Sequence, residues 1–311
     1  MAGGTLGGCR RHRSKPGIPP AAIAHKPLLK NQWQFLRNRG RISLVEKSEK
    51  TENTTMIKLI ASDIDGTLLH GSETVIPTET LGEFRRLLDR GYLLAAASGR
   101  QYGCLRRLFG EVGQEMYILS ENGALVFGPH SDTPLRKILL PQPEALALCH
   151  EIIARPDSEV MISGENTSYL CPKGPVVVPH VRDFVGHNVA VVSAPEAIPE
   201  PIIKVSAFCP NGVADAAAAL TERWSGCMRV AVAGEAWLDF TPADKGDGIR
   251  QLADVLGLKL SEIMAFGDNF NDEAMLDCVG APYIMDNAVP ELRVRYKNHC
   301  SSVAEVLKTI Q

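Results

Sequence analysis

Residues 59–71 read LIASDIDGTLLHG, an apolar run closed by two aspartates one residue apart, Asp63 and Asp65. Carboxylates so close repel each other, and a protein interior strengthens the repulsion. A cation must therefore stand near them. Two later stretches offer matching chemistry at the ends of apolar segments: Ser98-Gly99-Arg100 after YLLAAA, and Gly267-Asp268-Asn269-Phe270-Asn271-Asp272 after EIMAF. Lys245 stands just before the helical pattern that leads into the second of these. Mg2+ between Asp63 and Asp268 would satisfy both carboxylates, because hard oxygen donors are what this ion takes. Lys245 would supply a second positive charge.

The set suits the cleavage of a phosphate ester, which needs charge neutralisation, an in-line nucleophile and an acid for the departing oxygen. Asp63 can attack phosphorus. Asp65 can turn its side chain to the leaving oxygen and its backbone carbonyl to the metal. Ser98, with neighbouring backbone N–H groups, can hold a transferring oxygen, and Gly66 and Gly99 let backbone approach closely.

The elements that must position these residues are legible from periodicity. IKLIAS (57–62) is a buried strand ending in a polar turn. PTETLGEFRRLLDRG is a helix with Leu81, Phe84 and Leu88 at helical spacing, started by Pro77 or Thr78 and stopped by Gly91. YLLAAASGR is the next strand, and MYILSENGALVFG reads as strand, Asn-Gly turn, strand. Towards the end come a helix with Ile249, Leu252 and Leu256 inward, the strand EIMAFGDN, a short helix around Met275 and the strand YIM. Repeated βα units predict an α/β fold with a doubly wound, parallel, Rossmann-like sheet. Between them, EVMIS, SYLC, NVAVVS, IIKVSAFC and RVAVAGEAWLDF read as strands, with two helices, PQPEALALCHEIIAR and VADAAAALTERW. This α+β block predicts an inserted domain at 141–241, flanked by a core of 56–140 and 242–311.

Residues 1–55 carry 11 basic and 3 acidic side chains, whereas the other 22 basic and 33 acidic residues leave the body at −11. An acidic body argues against nucleic acid as partner, since phosphate backbones want a basic face. No stretch has the ~18 consecutive apolar residues of a membrane span. Residues 1–55 lack the apolar core of a signal peptide and read as a disordered extension. Eight scattered cysteines without a CxxC pair read as reduced thiols of a cytoplasmic protein. The eight histidines show no metal-ligand spacing, and His70 reads as a solvated loop residue.

DIDGT, SGR, Lys245 and GDNFND, in that order, resemble the four motifs of the haloacid dehalogenase superfamily. The position of the insert resembles the class IIB cap of its Cof-like sugar-phosphatase branch. The resemblance covers 56–311. It implies that Asp63 is the nucleophile and Asp65 the general acid/base. It further implies that Asp63, the Asp65 carbonyl and Asp268 bind Mg2+, and that Ser98, with Gly99, and Lys245 bind phosphate. Asn271 is then expected to touch substrate or a metal-bound water, and Asp272 to orient Lys245 or the metal shell. Arg100 becomes a candidate phosphate or substrate contact. The partner implied is a small phosphorylated metabolite, with sugar phosphates first, met by a monomer or homodimer. One departure from the pattern is that TPADKGDG has no glycine two residues before the lysine.

Other readings compete. A phosphoryl mutase or transferase can use the same scaffold. A regulatory phosphoacceptor also brings an aspartate, acidic ligands and a lysine together, but is far shorter and lacks a second catalytic Asp two residues on. A binding module without catalysis would not need the full set. Asn122 is most simply a hairpin-turn residue, and Glu165, Asn166 and Tyr169 read as a solvated loop.

Overall fold

A computed structural model of the chain describes residues 56–233 and 235–311. The extension expected at 1–55 lies outside the described residues.

The order of elements begins β1 (Leu59–Ser62), α1 (Thr78–Asp89), β2 (Leu93–Ala97), α2 (Tyr102–Glu115), β3 (Tyr117–Ser120), β4 (Leu125–Phe127) and β5 (Pro134–Lys137). An inserted segment follows: α3 (Gln142–Ala154), β6 (Glu159–Ser163), β7 (Ser168–Leu170), α4 (Val177–Pro179), β8 (Val189–Val191), β9 (Lys204–Phe208), α5 (Ala214–Trp224), β10 (Arg229–Ala233) and β11 (Trp237–Thr241). The chain ends with α6 (Lys245–Leu256), β12 (Ile263–Gly267), α7 (Glu273–Cys278), β13 (Ala281–Met285), α8 (Pro290–Arg293), β14 (Asn298–Cys300) and α9 (Val303–Lys308).

Eight strands form one sheet in the order β14-β13-β12-β1-β2-β3-β4-β5. The six from β14 to β3 are parallel, and β4 and β5 add an antiparallel edge. Helices cover both faces, so central strands such as β1 are buried throughout and read as unbroken apolar runs. Phe84 of α1 and Leu105 and Phe109 of α2 pack with Ile60 and Phe266 on one face. Ile249 and Leu252 of α6 and Met275 of α7 pack with Leu59 and Ala61 on the other. The predicted doubly wound sheet is therefore present.

The inserted strands make a second sheet, ordered β10-β11-β9-β6-β7-β8. Its strands alternate. Val160, Ile162, Val205, Ala207, Leu238 and Phe240 point to the core under α3 and α5. By the period of two, Met161, Lys204, Ser206, Trp237 and Asp239 share the opposite face. Burying each large side chain against α3 and α5 contributes roughly 1.5–3 kcal/mol.

Three local readings change. The buried seam of α1 is Thr80, Phe84 and Leu87, with Leu81 and Leu88 only partly covered. Helix α2 was not legible, because Gly103, Gly110 and Gly113 interrupt its apolar pattern, and Gly110 breaks the helix at φ 58°. Arg106, a buried residue of this helix, donates to the carbonyls of Gly113, Met116 and Gly128. The Asn-Gly connection does join two antiparallel strands, but not as a two-residue turn. Glu121, Asn122 and Gly123 all have positive φ (51°, 57° and 86°), carrying the chain inward rather than out to solvent. No helix among the described residues is long and apolar enough to cross a membrane.

Candidate active site

The loops after β1, β2 and β12 converge at the carboxyl ends of adjacent strands, where open parallel sheets place ligands. Asp63 follows β1 directly; its N–H donates to the Phe266 carbonyl at 3.0 Å, which ties it to β12. Its side chain is buried.

Lys245 is the first residue of α6. Asp244 caps that helix, accepting from the Asp247 N–H at 2.8 Å, while Asp247 accepts from the Asp244 N–H at 3.2 Å. This reciprocal box, rather than a glycine before the lysine, sets the loop path. Lys245 Nζ reaches Asp63 Oδ1 at 2.5 Å and Asp272 Oδ1 at 2.6 Å. Burial opposes the ammonium, yet Asp272 and Asp63 hold its pKa above the ordinary lysine value. Burial, and then Asp272, push Asp63 well above the usual carboxylate range against the pull of Lys245. Burial and Asp272 raise Asp268 in the same way.

Asp272 Oδ2 accepts from the N–H groups of Asp268 and Asn269, each at 3.0 Å, so this carboxylate shapes the loop as well as holding the lysine. Thr67 Oγ1 donates to Asp268 Oδ1 at 3.1 Å. Oxygens of Asp63, Asp268 and Asp272 lie within 4.8 Å of one another. At Gly66, φ is +92° and a Cβ would stand 2.1 Å from Asp268 Oδ2, so only glycine admits the Asp268 carboxylate here.

A cavity of about 400 Å³ opens above these loops. Asp63, Asp65, Ser98, Gly99, Arg100, Asn122, Asn269 and Asn271 line it from the large sheet. Met161, Lys204, Val232, Trp237 and Asp239 line it from the inserted sheet, with Val185 and His187. The residues expected from sequence are thus brought together, although Asp268, Asp272 and Lys245 stand beneath Asp63 and the loop after β12 rather than among the residues that line the cavity. Lys245 is 1% exposed and stands behind Asp63 rather than on the cavity wall. Arg100 makes a two-pronged ion pair with Asp65.

Asn122 belongs to the cavity, and its Oδ1 has no hydrogen-bond partner among the described residues. Glu165, Asn166 and Tyr169 do not line it; they pair with Lys137, the Gly103 N–H and Glu200. His70 is exposed in a turn whose N–H donates to Glu73. Cys104, Cys149, Cys171, Cys209, Cys278 and Cys300 form no disulfide.

Sequence reasoning missed Lys204, Asp239, His187 and Trp237. The signal was present for the first two: IIKVSAFC and AWLDF place a charged residue on one face of strands whose other face is apolar. Burial holds His187 neutral, with its pKa down to about 3.

A family model of haloacid dehalogenase-like hydrolases matches residues 60–308. The chain belongs to that family. It is 28% identical over 236 residues to the 5-amino-6-(5-phospho-D-ribitylamino)uracil phosphatase YbjI of Escherichia coli K12, covering 75% of this chain and 86% of the relative. It is 30% identical over 250 residues to the HMP-PP phosphatase of Enterobacter sp. strain 638, covering 76% and 87%. Its fold resembles that of the subclass IIB sugar phosphatase BT4131, with a TM-score of 0.68, 22% identity and coverage of 81% and 98%.

Proposed function

We propose that the protein is a Mg2+-dependent phosphatase that hydrolyses small phosphate monoesters through an aspartyl-phosphate on Asp63. The observation that carries this reading is the position of Asp63. It is buried beside the cationic Lys245 and lines the same cavity as Asp65, Ser98 and Asn271.

The residues fit the ion that the family implies. Three carboxylates gather within 4.8 Å beside a single lysine, and two of them, Asp63 and Asp268, are pushed up by burial and then by Asp272. Such a donor set suits a hard divalent cation. Asp63 and Asp268, with the Asp65 carbonyl, would hold it, and Asp272 would orient the loop. When bound, Mg2+ would neutralise charge on the phosphoryl group.

The chain's own groups do the rest. An Asp63 oxygen attacks phosphorus as the ester P–O bond breaks, and Asp65 gives its proton to the departing oxygen. Asp65 then removes a proton from water, whose oxygen attacks phosphorus and breaks the bond to Asp63. Phosphate leaves, and both aspartates return to their starting states. Ser98, whose Oγ accepts from the Arg100 N–H at 3.2 Å, and the Gly99 backbone N–H would hold the phosphoryl oxygens. Residues 141–241 act as a cap over a core of 56–140 and 242–311, closing the cavity against water. The phosphorylated uracil and HMP-PP relatives and the sugar-phosphatase fold support a small phosphorylated metabolite as substrate.

The test is acid-quench trapping with 32P-labelled acetyl phosphate in Mg2+. The native chain should carry label that mass spectrometry places on Asp63, and Asp63→Asn should carry none. Label retained in the variant would overturn the assignment.

A further inference from the structure

Lys204, at the start of β9 in the inserted sheet, is almost wholly buried, yet its ammonium reaches the large sheet. Nζ donates to the carbonyl of Gly99 at 2.9 Å, the middle residue of Ser98-Gly99-Arg100. It also lies 2.7 Å from Glu121 Oε2 and 3.4 Å from Asp239 Oδ2. Asp239 Oδ1 accepts from Ser206 Oγ at 2.6 Å, and Oδ2 from Asn122 Nδ2 at 3.3 Å. Asn122 also crowds Gly99: a Cβ there would stand 3.0 Å from Asn122 Oδ1. The inward course of Glu121 and Asn122, both at positive φ, brings the two side chains to this junction. Left-handed non-glycine residues in succession are costly and persist where the surroundings enforce them.

We propose that Lys204 is a positioning residue for the Ser98–Arg100 loop: by gripping the Gly99 carbonyl from the inserted sheet, it fixes the course of the loop's backbone only while that sheet covers the cavity. Arrival of the cover and readiness of the loop then become one event. Lys204 is suited to this because Glu121 belongs to the large sheet and Asp239 to the inserted one, so its ammonium meets both carboxylates only when the two sheets meet. The loop's role in phosphate binding rests on the phosphatase reading above; the grip on Gly99 does not.

The experiment measures hydrogen exchange of peptides covering residues 93–104 alongside steady-state turnover of p-nitrophenyl phosphate. In Lys204→Met, exchange at 98–101 should quicken while β1 and β12 keep their protection, and kcat/KM should fall about 10- to 100-fold, as when a reacting group is misplaced by an ångström. Lys204→Arg should recover part of both. The double variant Lys204→Met/Glu121→Gln removes the nearer of the two buried carboxylates left without a cation, so it should regain part of the melting temperature but neither loop protection nor rate. Restoration of both by the double variant would reduce Lys204 to charge balance and overturn the proposal. So would native exchange and turnover in a folded Lys204→Met. If no form hydrolyses any ester, the phosphatase reading fails, while the exchange pattern still decides whether Lys204 holds the loop.

Discussion

Arg100 grips both carboxylate oxygens of Asp65, Nε to Oδ2 at 2.9 Å and Nη2 to Oδ1 at 2.5 Å, joining the loop after β2 to the loop after β1. The pair is partly exposed, so water screens it and it adds little to stability. Its geometry matters more. A planar two-pronged contact fixes the carboxylate's orientation at the cavity, and in the proposed mechanism Asp65 would have to slip from it to deliver a proton.

Asp65→Asn separates these roles. It keeps the backbone carbonyl and the side-chain size, but cannot act as acid or base. With a sugar phosphate, whose alkoxide needs a proton, rate should fall by roughly 10²–10⁴-fold. With p-nitrophenyl phosphate the first step should survive far better, leaving water without its base. Rapid mixing should then show a burst of about one nitrophenolate per enzyme, followed by a stall at the aspartyl-phosphate. Equal losses on both esters with no burst would place the acid elsewhere.

Lys245→Met leaves Asp63 and Asp272 facing each other in a buried site without their cation. Losing one partner of such a pair costs about 3–5 kcal/mol, so denaturant unfolding should move accordingly. Turnover should drop ~100-fold or more, the scale of losing one preorganised donor. A stability change near zero with less than threefold loss of rate would show that Lys245 is not the counter-charge.

Chelation tests the carboxylate cluster. EDTA should abolish hydrolysis, and Mg2+ should restore it. Ca2+ should restore little, because its looser and longer coordination misplaces the attacking carboxylate. Full turnover in EDTA would sink the metal assignment.

His187 gives a prediction about pH. Its pKa in the fold is down at about 3, mainly through burial and then through Lys204, Arg100 and Arg107, whereas an unfolded histidine titrates near 6.5. Below about 6.5 the unfolded chain binds a proton that the folded chain refuses, so this group's penalty grows as pH falls towards 3, and is absent above 6.5. Buried Glu121 and Asp63, whose pKa values are raised, push the other way, so the informative quantity is a difference. Relative to the native chain, His187→Gln should gain about 1–3 kcal/mol between pH 6.5 and 4.5 in urea unfolding. Parallel stability curves would show that His187 takes up its proton without penalty.

The reactive half of the cavity was legible because its residues end apolar strands, where a carboxylate or a Ser-Gly has no reason to stand unless the strand end is used. Asp63, Ser98 and Asp268 followed from that logic alone. Lys204 and Asp239 escaped because they lie inside strands, and a run such as IIKVSAFC reads as core until the sheet beneath it is known. His187 and Trp237 gave no signal at all; only the packing of β7, β9 and β11 brings them to the cavity. Asn122 was misjudged because an Asn-Gly pair between two strands predicts a tight turn to solvent, whereas three successive positive-φ residues turn it inward. Helix α2 was lost to its three glycines.

The inserted segment departs from β5, at the outer edge of the eight-stranded sheet, while Asp63, Ser98 and Asp268 follow β1, β2 and β12 at its middle. Substitutions in the insert can therefore reshape its wall of the cavity without disturbing the strands that Asp63, Ser98 and Asp268 follow. The exceptions are the contacts that cross between the halves, among them Lys204 with Gly99 and Glu121, Asn122 with Asp239 and Gly103 with Asn166, where a change on one side must be answered on the other.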